Sequence, residues 1–119
     1  MRFSKKRLGQ QTRQEIYHNF YQLLADLQTP EEVKNFLTDF LTHAELISLV
    51  KRLAIVSMLE ENYSYTDIKK SLRVSSATIA TVAQMMQKKS RGFTLALKYL
   101  EADAWAGKTS QGISSFLRI

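Results

Sequence analysis

Apolar residues recur along this chain at the spacing of one helix face. Ile16, Phe20, Leu23, Leu24 and Leu27 form one set, Val33, Phe36, Leu37, Phe40 and Leu41 a second, and Leu46, Leu49, Val50, Leu53 and Val56 a third. Each set follows a threonine with glutamate three residues on: "TRQE" at Thr12, "TPEE" at Thr29 and "THAE" at Thr42. In that arrangement the threonine oxygen accepts from an amide of the first turn while the glutamate reaches back, so orphan donors are satisfied in pairs. Pro30 stands at a first helical position, where its missing N–H costs nothing. The pattern predicts helices over about 12–27, 30–41 and 43–60. After the break "ENYS", Ser64 and Asp67 repeat the cap for a short fourth helix ending near Leu72. A fifth runs from Ser75 to about Lys88 and a sixth from about Phe93 to Trp105, with Leu95, Leu97, Tyr99 and Leu100. No alternating strand pattern competes, so the expected class is all-α with about six helices.

Composition narrows the function classes. A chain of 119 residues with 45% apolar content makes one core, expected over 12–105 between a basic arm (1–11) and a small, polar tail (106–119) that reads as a flexible extension. Without cysteine there is no disulfide, thiolate metal site or cysteine nucleophile. No segment reads as a signal sequence or as a membrane span, which makes the cytoplasm the expected location. His18 and His43 lack metal-ligand spacing, His43 reads as a surface residue, and four glycines cannot assemble a phosphate-cradling loop. Neither an enzyme nor a bound cofactor or metal is expected. Several helices carry apolar residues on more than one face: Tyr17 and Tyr21 flank Phe20, and Ile47 and Ile55 lie beside the third stripe. A domain this small buries two faces per helix poorly, so a homodimer is expected, with a compact monomer showing partly exposed tyrosines as the alternative.

The net charge of +6 is polarised. Arg2, Lys5, Lys6, Arg7 and Arg13 stand in the first thirteen residues without an acid. From Gln14 to Val50 six carboxylates face only Lys34. From Ser64 to Arg91, Lys69, Lys70, Arg73, Lys88, Lys89 and Arg91 face Asp67 alone. That basic stretch, over about 64–89, has the pattern of a helix-turn-helix. Ile68, Leu72, Val74, Ile79 and Val82 make a small core that sets two helices at a steep angle. Ser76, Ala77, Ala80, Thr81 and Gln84 project from the free face of the second helix, where small side chains let the backbone approach a major groove. Ser75 as cap, with the Ser76 and Thr78 hydroxyls, suits a phosphate oxygen. Lys69, Lys70, Arg73, Lys88 and Lys89 flank it as backbone contacts, and Gln84 is the one amide placed to read adenine. Two positions depart from the usual pattern: Lys69 stands where a small residue is common, and Arg73 where glycine supplies a positive-φ turn. A wider or differently shaped turn would be the consequence at Arg73.

With "LTHAELISLVKRLAIVSML" and "YSYTDIKKSLRVSSATIATV", the chain resembles the tryptophan-repressor-like family over about residues 28–87, nearer to bacterial relatives of the repressor than to the repressor itself. The matching positions are the Thr42 entry and Arg52, then Ile68, Leu72, Ala77, Thr78 and Ile79. The resemblance implies an intertwined all-helical homodimer that presents two helix-turn-helix units to successive major grooves of double-stranded DNA, and a transcriptional repressor that occupies an operator. Family operator recognition runs largely through water, which suits the short side chains here. The corepressor site carries over poorly. Arg52 matches one ligand-stacking arginine and Thr42 a pocket residue, but the second arginine position is Thr81 and the adjacent glycine position is Val82. One guanidinium does not make a sandwich around an indole, so tryptophan binding is not expected, and Arg52 reads better as an ion-pair or phosphate contact. The sequence identifies no other small-molecule effector. Two rival readings stand beside this one: the helix-turn-helix subunit of a transposase, and a dimeric interaction module that has given up DNA.

Overall fold

The computed structural model describes residues 8–88 and 90–106, with 104–106 as backbone only. Most of the basic arm, the tail from 107, Lys89 and the Trp105 side chain lie outside the described residues. Six helices lie among the described residues: α1 Gln10–Asp26, α2 Pro30–Phe40, α3 His43–Glu60, α4 Tyr65–Leu72, α5 Ser76–Gln87 and α6 Arg91–Ala106. There is no strand among the described residues. The expected all-α architecture is what forms, in two units, one ending at His43 and the other starting at Ala44.

In the first unit, α2 begins as its sequence dictates. The Thr29 hydroxyl accepts from the Glu32 amide at 3.1 Å, and Glu32 reaches back to accept from the Gln28 amide at 2.9 Å. The start of α1 differs from expectation. Thr12 is not the cap; the helix opens at Gln10 behind Gly9, which offers no side-chain cap. Gly9 accepts from the Arg13 amide at 2.9 Å, closing the first turn earlier, and Glu15 accepts from the Gln11 side chain at 3.4 Å. Glutamines 10 and 11 are good helix formers, so the helix extends back through them. Phe36 and Phe40 stack at 5.0 Å, and Phe20 meets Phe40 at 5.9 Å. No residue of α1 or α2 is buried, and Phe40 is 58% exposed.

The second unit holds the core. Ala54, Ile55, Val56 and Met58 of α3, Ile68 and Leu72 of α4, and Ile79 and Val82 of α5 are buried together, with Leu59, Val74, Met86, Phe93 and Leu97 packed against them. This corrects the reading of α3. Its buried face lies in the C-terminal half and includes Ile55, whereas Leu49 and Leu53 of the expected stripe are exposed. On α6 the packed residues are Phe93 and Leu97, one turn apart, while Leu95 and Tyr99 face outward. All five tyrosines are exposed.

Two non-glycine residues in the left-handed region close the helices that frame the reader segment: Asn62 (φ 66°) and Arg73 (φ 54°). At the end of α3 the Tyr63 amide donates to the Met58 carbonyl and the Asn62 amide to Leu59, both at 3.0 Å. This is the Schellman arrangement, and asparagine is one of the few side chains that tolerates it well. At the end of α4, Arg73 itself takes φ 54°, ψ 55°, and its amide donates to Lys69 at 2.9 Å. The turn thus keeps the shape glycine would give it, rather than widening, at a backbone cost of about 1–2 kcal/mol.

Candidate nucleic-acid interface

A hydrophobic seam positions the reader segment. Ile68 and Leu72 lie one turn apart on α4, and Ile79 and Val82 lie one turn apart on α5. All four are buried, and Val74 in the turn is half-buried against them. The seam fixes α5 about its own axis. The residues on its other side, Ser76, Ala77, Ala80, Thr81 and Gln84, are then all exposed. The five positions read from sequence as a small core do form one, and the five read as a free face are free. Lys69, the first departure from the usual pattern, is exposed and adds no bulk to the seam.

Local hydrogen bonds define what that face presents. Ser75 caps α5, its hydroxyl accepting from the Thr78 amide at 3.1 Å. The Ser75 and Thr78 hydroxyls also share a hydrogen bond of 3.0 Å. The Thr81 hydroxyl turns back to donate to the Ala77 carbonyl at 3.0 Å. Ser76 and Gln84 make no side-chain hydrogen bond among the described residues, so their polar groups remain available at the two ends of the exposed face.

The electrostatics are one-sided. Lys69, Lys70, Arg73 and Lys88 are exposed, and none forms an ion pair among the described residues. Cations that neutralise no carboxylate keep their full attraction for an outside polyanion. Ser64 caps α4 by accepting from the Asp67 amide at 3.1 Å, which puts Asp67 in the first turn, where a carboxylate suits the helix dipole. Asn62 is a positioning residue that sequence reading missed; its signal was an asparagine directly after "LEE" at a helix end.

Arg52 is exposed on α3 and forms no ion pair among the described residues, and Thr42 precedes the first residue of that helix. Thr81 brings no charge, and Val82, 2% exposed, is part of the seam. Among the described residues no three acidic or histidine side chains gather as metal ligands, and no helix is long and apolar enough to cross a membrane.

Comparison with curated proteins and with solved structures returns no match. The family model described as Trp repressor protein matches residues 15–101, well over half of the chain and inclusive of the whole reader segment. On that match, the chain belongs to the Trp repressor family, a family of helix-turn-helix DNA-binding regulators and not of enzymes.

Proposed function

We propose that this chain is a sequence-specific transcriptional regulator, a repressor that binds its operator in the cytoplasm as a homodimer with α5 of each copy in a major groove. The observation that carries the reading is the two-sidedness of α5. Ile79 and Val82 are locked into the seam while Ser76, Ala77, Ala80, Thr81 and Gln84 stand exposed beside unpaired cations. Small residues allow close approach, and direct base reading is limited to Gln84, with water and DNA shape supplying much of the rest. Ser75, Ser76 and Thr78 at the start of α5 suit a phosphate oxygen, with Lys69, Lys70 and Arg73 on the preceding helix and turn and Lys88 past the far end of α5 as further backbone contacts; Lys89 follows in the sequence as a fifth cation. If those five cations each meet a phosphate, affinity falls with salt at a log–log slope of about −4 to −5. Thr81 and Val82 argue against tryptophan as the effector, and exposed Arg52 is read as an interfacial ion-pair partner or an outer phosphate contact.

Dimerisation is supported by the exposed apolar side chains. Among the described residues eight apolar ones are buried, all on α3 to α5, while Ile16, Phe20, Leu24, Phe40, Ile47 and Leu53 are each more than a third exposed. The family's intertwined fold covers such faces with a second copy. The test is selection from a pool of random duplex DNA at two salt concentrations, followed by sequencing of the retained fraction. Enrichment of a two-fold-symmetric site is the expected result. Salt-sensitive retention without an enriched site would overturn sequence specificity, and no retention at either salt would overturn DNA binding and favour the interaction module.

A further inference from the structure

Three features of Arg73 stand out in the free protein. It occupies the left-handed conformation that glycine adopts freely, and the four glycines of the chain lie elsewhere. Its side chain is exposed and makes neither an ion pair nor a hydrogen bond among the described residues. It also directly follows a helix whose last turn already carries Lys69 and Lys70, and so adds to a cluster of like charge. Asn62, the other left-handed residue, is of a type that tolerates that conformation through its short polar side chain. Among the described residues nothing comparable offsets the conformation of Arg73. An unfavourable backbone state held by an otherwise idle cation points to a role outside the free protein.

The location says which role. Arg73 opens the three-residue turn Arg73–Val74–Ser75, whose second residue packs on the seam and whose third caps α5. The turn is therefore anchored on both sides of α5's entry, and Arg73 is carried at a fixed place beside it. A guanidinium offers a planar fork matched to two phosphate oxygens, which lysine cannot imitate.

We propose that Arg73 is held in its left-handed turn because its guanidinium clamps a DNA phosphate beside the start of α5, so that at this residue the chain gives up folding stability for DNA affinity. The inference rests on the DNA-binding reading and assigns one residue a part that the flanking lysines do not share.

The test compares wild type, Arg73→Gly and Arg73→Lys for thermal stability without DNA and for affinity to the duplex obtained by selection, across a salt series. Arg73→Gly relieves the backbone and removes the clamp. Its melting temperature rises by about 4–8 °C, the shift given by about one unit of relieved strain in a domain of this size. Its affinity falls by roughly tenfold or more, as for the loss of a charged hydrogen bond, and its salt slope flattens by about 0.9. Arg73→Lys keeps the wild-type melting temperature and slope but loses affinity, which separates the fork from the charge. An Arg73→Gly protein that is more stable and binds as tightly as wild type would overturn the clamp while leaving DNA binding intact. A wild type that binds no duplex at low salt would overturn both, and the wild-type arm reports that outcome separately.

Discussion

At the residue scale, Thr81 shows how little separates a packing helix from a reading helix. Its hydroxyl is satisfied by the Ala77 carbonyl of its own helix, and the side chain is exposed. Replacing it removes one exposed hydrogen bond and no core contact, and glutamate is a better helix former than threonine. Thr81→Glu is therefore expected to change stability by no more than about 0.5 kcal/mol, the usual range for a surface substitution. Affinity is a different matter, because the new carboxylate would enter a groove walled by phosphates. We expect DNA binding to fall beyond detection at moderate salt, read by fluorescence anisotropy, with a superimposable thermal melt by circular dichroism. A folded variant that keeps wild-type affinity would remove α5 from the groove. Val82, next in sequence, has the opposite character: it is buried, and trimming it to alanine would open a cavity in the seam instead of altering the exposed face.

At the element scale, the reader unit was legible because its signals agree. Ser64 and Ser75 each cap a short helix, and the five apolar positions from Ile68 to Val82 can converge in only one register. Where signals conflicted, sequence reading slipped. Thr12 and Glu15 form a proper cap pattern, but Gln10 and Gln11 before them extend the helix and Gln11 engages the glutamate. On α3 the periodicity could not choose between faces, because apolar residues occupy more than one of them, and burial fell on Ala54, Ile55, Val56 and Met58. Arg73 was readable as an exception but not as a left-handed residue, since the conformation is imposed by closure of the turn and not by propensity. The cations on these elements are independent of the seam. Reversing Lys69, Lys70 and Lys88 to glutamate is expected to leave the helical spectrum and subunit association unchanged. The same triple variant should abolish tight DNA binding at low salt, and any residual binding should show a slope flatter by about 3. Unchanged affinity in this variant would point to the interaction module.

At the scale of the whole molecule, the unsolved question is what covers the apolar surface outside the α3–α5 core. Among its described residues the first unit contributes none that is buried, although Ile16, Phe20, Leu23 and Leu24 lie on α1. Leu49 and Leu53 of α3 and Leu95 of α6 add to the exposed total. Exposed apolar side chains in such number are uncommon on monomers and mark an interface. A second copy is the cover we propose, and it would also set two α5 helices about 34–36 Å apart, the spacing of successive major grooves on one side of DNA. Ile16→Asp combined with Leu49→Asp tests this without touching the seam, since both side chains are exposed and neither belongs to the buried cluster. Wild type should sediment at twice 13.7 kDa and the double variant at 13.7 kDa. Because Ile55, Met58, Ile68 and Ile79 remain buried, α3 to α5 should keep their helical signal in the monomer. Affinity for a symmetric two-half-site duplex should then fall to that for a single half-site, because the second contact no longer benefits from being tethered to the first. A wild-type chain that sediments as a monomer and still binds a single unsymmetric site would replace the dimer by a one-module reader, and the exposed faces would then call for a different partner.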